Sequence, residues 1–98
     1  MPTVVLTPTA VADLDRLILT HSLSADTRTR LARSLRPLEE FPLLGAQLEG
    51  EWSQFRFLLG PWRWMLLVYT YDETADRVAV VTIQDGRSSR AAATTGRA

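Results

Sequence analysis

The strongest constraint on the fold is a change in hydrophobic period partway along the chain. Between residues 8 and 38 apolar side chains recur at helical spacing, whereas from Trp52 they alternate at every second position, as strands require. A single switch of this kind reads as an α+β chain with helices first and sheet after. At 98 residues there is room for one hydrophobic core. The expected arrangement is an N-terminal strand and a helical hairpin packed on one face of a small antiparallel sheet.

In the helical half, Thr7-Pro8 marks a start, with Thr7 as N-cap and Pro8 at the first helical position, where its missing N–H costs nothing. Val11, Leu14, Leu17 and Ile18 fall on one face, which leaves Asp13, Asp15 and Arg16 pointing away; the helix should end near Thr20. His21 then reads as a cap, since a cation suits a helix C-terminus. Ser24 opens a second helix with the stripe Leu31, Leu35, Leu38, while Arg28, Arg30, Arg33 and Arg36 occupy a solvated face. Ahead of both, Thr3 to Thr7 is short and β-branched, a first strand.

In the sheet half, Trp52–Leu59 and Trp62–Tyr71 form strand-like runs joined at Gly60-Pro61, a hairpin signal, and Arg77–Ile83 is a last strand. If Leu59 lies opposite Trp62, Arg56 pairs with Met65 and Leu58 with Arg63. Phe55, Phe57, Leu59, Trp62, Trp64, Leu66 and Val68 then share an apolar face expected to lie under the helices. Arg56, Leu58, Arg63, Met65, Leu67, Tyr69 and Tyr71 share the open one. Of the tryptophans, Trp62 and Trp64 read as core and Trp52 as exposed.

Composition removes several function classes. There is no cysteine and one histidine, which excludes a disulfide framework and the usual zinc constellations, so no cofactor or metal is expected. No signal-peptide pattern and no apolar run of membrane-spanning length is present, which leaves a cytoplasmic location as the default and no membrane partner. Residues 1–86 hold eight arginines against eleven acidic side chains, a net −3. A nucleic-acid binder normally carries a basic face, and this body is mildly acidic, which leaves room for a local patch. Residues 1–88 are expected to form one domain and 89–98 a flexible tail of small and polar residues.

Certain segments carry a resemblance: Thr7-Pro8-Thr9-Ala10-Val11-Ala12-Asp13-Leu14, Leu38-Glu39-Glu40-Phe41-Pro42-Leu43-Leu44-Gly45, Arg56, Gly60-Pro61-Trp62-Arg63, Tyr69 to Asp72, and Val78 through Ile83 leading into Asp85-Gly86-Arg87. In combination and order they resemble the RelE/ParE toxin superfamily of bacterial type II toxin–antitoxin systems. The resemblance implies a helical hairpin on a curved antiparallel sheet and a cognate antitoxin as partner. It implies one of two activities: cleavage of messenger RNA on the ribosome, as in RelE-like members, or inhibition of DNA gyrase, as in ParE-like members. A catalytically inactive binding module of the same fold is a third reading.

For RNA cleavage, the resemblance assigns Arg56, Arg63 and Arg87 to the family's arginines, which would hold the negative charge of the phosphorane. Where many nuclease members have a histidine this chain has Gln84-Asp85, and no tyrosine follows Arg87. Asp85, or less directly Glu49, is then the candidate base. The antitoxin is expected over the open Leu58, Met65 and Leu67 surface.

Overall fold

The computed structural model describes residues 1–87, so the expected tail lies outside the described residues. Strand β1 (Thr3–Leu6) leads into helix α1 (Pro8–Thr20), helix α2 (Thr27–Leu35) and a 3-10 turn (Arg36–Glu39). Then come β2 (Ala46–Gln47), a second 3-10 turn (Gly50–Trp52), β3 (Arg56–Leu59), β4 (Met65–Asp72) and β5 (Arg77–Asp85). The five strands form one sheet in the order β1-β5-β4-β3-β2. Pairing is antiparallel except at β1–β5, which is parallel because the chain returns beside its own first strand after crossing through the helices. Among the described residues no helix is long and apolar enough to cross a membrane.

Thr7 begins α1 as its residue type dictates. Its hydroxyl oxygen accepts the Ala10 N–H at 3.2 Å, and the same hydroxyl lies 3.1 Å from the carbonyls of Val80 and Val81, to which it donates. The cap therefore also docks the helix on β5. Helix α2 starts at Thr27, three residues later than the Ser24 signal suggests. The Ser24 hydroxyl donates to the Asp26 carboxylate, and the Ser24 carbonyl accepts the Thr27 hydroxyl at 2.6 Å. Both groups are thus committed to a turn before the helix begins.

The core lies between the helices and one face of the sheet. Ala10, Leu14 and Leu17 of α1 and Leu31, Leu35 and Leu38 meet Met65, Leu67, Tyr69, Val78, Val80 and Ile83. This corrects two sequence expectations. The β3–β4 register is Arg56↔Tyr69, Phe57↔Val68, Leu58↔Leu67 and Leu59↔Leu66, so Arg56 does not pair with Met65. Gly60 N–H donates to the Met65 carbonyl at 2.8 Å and Met65 N–H to the Trp62 carbonyl at 3.0 Å, which places residues 61–64 in a four-residue loop. A two-residue turn at Gly60-Pro61 would have held Trp62 in the strand.

The register moved by an even number of positions, so the residues that remain in β3 and β4 stay grouped by face, while Trp62, Arg63 and Trp64 leave the strand for the loop and both indoles pack against the core. What inverts is the face the helices cover: Met65 and Leu67 are fully buried beneath them, and Leu58 is partly buried. The cause is that β4 is apolar on both faces, with Leu66 and Val68 buried as well, and alternation cannot choose between two apolar faces.

Asp13 is a third correction. It is buried at 4% exposure instead of pointing outward. β1 ends at Leu6, so beyond Val80 the edge of β5 facing away from β4 has no strand beside it; there Asp13 Oδ2 accepts the Ile83 N–H at 3.1 Å and the Thr82 hydroxyl at 2.6 Å. Its other oxygen accepts from Arg16 Nη2 at 2.8 Å. Burial alone would raise this carboxyl's pKa, but the bonds from Thr82, Ile83 and Arg16 together hold it below the usual value.

Candidate functional site

Three contacts lay α1 along β5 in the same direction: Thr7 at Val80 and Val81, Asp13 at Thr82 and Ile83, and His21 at Asp85. Fourteen helical residues rise ~21 Å and five strand residues ~17 Å, so the two elements advance nearly in step. The end of the helix thereby arrives at the end of the strand. His21 Nε2 stands 3.1 Å from Asp85 Oδ2, and its Nδ1 is 2.9 Å from the Thr20 hydroxyl.

Asp85 also receives Arg87. Arg87 Nε donates to Oδ1 and Nη2 to Oδ2, each at 2.9 Å, and the Arg87 backbone N–H donates to Oδ1 at 2.9 Å. The Arg87 guanidinium, aided by its backbone N–H and by His21, holds the Asp85 carboxyl far below the usual carboxylate range despite partial burial. Asp85 is therefore a carboxylate that only accepts. It follows that His21 donates from Nε2, which leaves the neutral ring's Nδ1 lone pair facing the Thr20 hydroxyl.

Aromatic rings wall the cluster. The His21 ring stacks on Trp64 with centroids 4.6 Å apart and planes 13° from parallel, and Trp64 stacks on Trp62 at 6.2 Å. Arg87 lies over Trp64 and Arg30 of α2 over Trp62, both with the guanidinium carbon 5.2 Å from the ring centroid. Both tryptophans come from the four-residue loop, and Arg63 is exposed between them in sequence. Arg30 and Arg87 thus flank the two stacked indoles, and Arg63 adds an exposed charge in the same loop.

Arg56 stands elsewhere. Its Nη1 donates to the carbonyls of Gly45 at 2.8 Å and Leu43 at 3.2 Å. Gly45 N–H in turn donates to the Tyr69 hydroxyl at 2.8 Å, so Arg56 and Tyr69 clamp one segment from both sides. Only glycine fits there, because a Cβ would lie 2.6 Å from the Phe57 carbonyl oxygen and 2.8 Å from the Tyr69 ring. Arg56 pairs with Tyr69, and Asp85 with Met65 four positions back along β4, a separation of ~13 Å along the strand. Arg56 and Arg63, both assigned by the resemblance to the phosphorane charge, stand on different elements, Arg56 at the start of β3 and Arg63 in the loop that follows it. Glu49 follows β2 at the opposite edge of the sheet from α1 and β1.

His21 does cap α1, its backbone N–H donating to the Leu17 carbonyl, and Trp64 does pack against the core, as expected; what sequence reading missed is that both also line this cluster. The signal that could have found them was the run of Thr7, Asp13 and His21, polar residues spaced along α1 with complementary partners at successive points of β5.

Four properties now define the chain: a helical hairpin on a five-stranded sheet, a parallel first strand, a clamped segment before β2, and a charged aromatic cluster at the end of β5. No protein-family model matches the sequence, and no curated protein sequence matches it. Solved structures do share its fold. The RelBE2 toxin–antitoxin complex from Mycobacterium tuberculosis contains a chain that superposes with a TM-score of 0.66 at 23% identity, over 87% of this chain and 99% of that one. A copper-bound mutant toxin from Helicobacter pylori gives 0.67 at 21% identity, over 87% and 94%. A conserved hypothetical protein from the same organism gives 0.59 at 16% identity, over 87% and 94%. The fold expected from the RelE/ParE resemblance is the fold observed.

Proposed function

We propose that this chain is the toxin of a type II toxin–antitoxin pair and that it cleaves messenger RNA on the ribosome. The observation that supports this reading best is the His21–Asp85–Arg87 cluster. Cleaving RNA at a phosphodiester needs a group to take a proton and a cation to meet the charge that builds on phosphorus. Arg87 uses two side-chain N–H groups on Asp85 and keeps three of its five for an incoming phosphate. Arg30 over Trp62 and Arg63 in the loop add positive charge on neighbouring elements, and the Arg87 side chain is exposed at the end of β5. Asp85, the candidate base of the sequence reading, is a poor one, because a carboxylate held so acidic has little affinity for a proton.

The antitoxin partner follows from the same reading, and its surface differs from the one first expected, since Met65 and Leu67 are buried. An apolar groove of about 320 Å³ between β1 and the helices, lined by Val4, Leu6, Val11, Leu14, Leu31 and Leu35 with Arg28 and Glu39 at its rim, is the surface open to an antitoxin helix.

Induction of the chain alone in a bacterial host tests the reading. Growth arrest relieved by the product of the adjoining reading frame is expected. Unimpaired growth contradicts it, and arrest with intact transcripts and blocked DNA supercoiling would transfer the chain to the gyrase-inhibiting class.

A further inference from the structure

We infer that His21 is the general base of this site, taking the 2′-hydroxyl proton of a bound ribonucleotide on Nδ1, and that Asp85 is a positioning residue that fixes the ring's tautomer. The inference rests on the RNA-cleaving reading and goes beyond it in naming the group that moves the proton. Nothing in the local sequence marks His21 for the task; the fold brings it to Asp85 across 64 positions.

Every neighbour of the ring constrains it. Asp85 accepts from Nε2, so in the neutral form of the ring the lone pair is on Nδ1. Trp64 fixes the plane by stacking, and Arg87, bound to the same Asp85 oxygen as Nε2, sets the cation beside the imidazole. Only Nδ1 faces a replaceable group, the exposed Thr20 hydroxyl at 2.9 Å. A ribose hydroxyl entering in its place makes the same hydrogen bond and supplies the proton.

The step balances as a transesterification. The 2′-O–H bond breaks, its proton passes to Nδ1, and the oxygen's electron pair forms a bond to phosphorus while the P–O5′ bond breaks. The departing O5′ takes a proton from a solvent water, and protonated His21 returns its proton to the solvent. The products are a 2′,3′-cyclic phosphate and a 5′-hydroxyl, with no other reactant. Arg87, with side-chain N–H groups not used on Asp85, is the cation available to the phosphoryl oxygens.

His21→Phe separates the base from the ring, because phenylalanine keeps the stack on Trp64 and has no nitrogen. With the full-length chain and ribosome-bound mRNA as probe, native protein is expected to cleave, leaving cyclic-phosphate ends, and to spare mRNA carrying a 2′-deoxy nucleotide at the cut site. His21→Phe should lose about 100-fold or more in kcat with KM little changed, the range of a general base. His21→Ala should regain part of its rate on addition of imidazole, which guards against a fault in the Phe variant's folding, and Asp85→Asn should lose about 10-fold in kcat. A His21→Phe variant cleaving within threefold of native overturns the inference and leaves the RNA-cleaving reading standing. Native protein that leaves ribosome-bound mRNA uncut overturns both.

Discussion

Asp85 Oδ2 stands 3.1 Å from His21 Nε2 and 2.9 Å from Arg87 Nη2, so one carboxylate oxygen joins an imidazole and a guanidinium. The arrangement follows from α1 and β5 advancing together from the Thr7 cap. A change that shifts α1 along β5 should therefore disturb the site without touching it. Asp13 is the middle point of that alignment.

Asp13→Ala leaves the buried Ile83 N–H without an acceptor, a loss of about 1–3 kcal/mol. Urea unfolding at neutral pH measures it. The folded pKa of Asp13 lies below its ordinary 3.8, so its contribution is present above that value and is lost as pH falls through the folded pKa. The gap between native and Asp13→Ala protein should accordingly narrow in strong acid.

Arg56 and Arg87 should respond oppositely to removal. Arg56→Ala frees the Leu43 and Gly45 carbonyls from their clamp, with an expected loss of roughly 1 kcal/mol or a Tm lower by about 4–8 °C. Gly45→Ala should be worse, by about 1–3 kcal/mol, because the added carbon meets backbone at 2.6 Å. Arg87→Ala, at an exposed side chain, should leave the melting curve in place and remove RNA cleavage.

The inverted sheet face is tested by truncation. Leu67→Ala, fully buried under the helices, should cost roughly 2–5 kcal/mol. Leu59→Ala, 50% exposed on the opposite face, should cost under about 1 kcal/mol. Denaturant midpoints for the pair decide between the two faces, and the reverse order would restore the face first read from the sequence.

Much of the architecture was legible because local chemistry and tertiary structure agree. Thr7-Pro8 caps α1, the Leu31, Leu35, Leu38 stripe is buried, and the strand from Arg77 forms, ending at Asp85. The hairpin register was not, since Gly60-Pro61 fits both a short turn and the start of a longer loop. Nor was the covered face, with β4 apolar on both sides. Of the candidate cluster, the Asp85–Arg87 pair could be grouped from sequence because the two lie two residues apart, whereas His21, Trp64 and Arg30 join them only through the packing of α1, α2 and the loop. Asp13 was misread because a charged residue beside a helical stripe normally faces water, and here a strand edge left open by short β1 gave it partners.

The central claim, that the cluster at the end of β5 cuts RNA, is tested most directly by mapping transcript ends in cells expressing the native chain and Arg87→Ala at equal levels. Native protein should produce transcripts cut within their reading frames and carrying 5′-hydroxyl ends, with Arg87→Ala leaving them whole. Intact transcripts with native protein, or equal cutting by both chains, would contradict it.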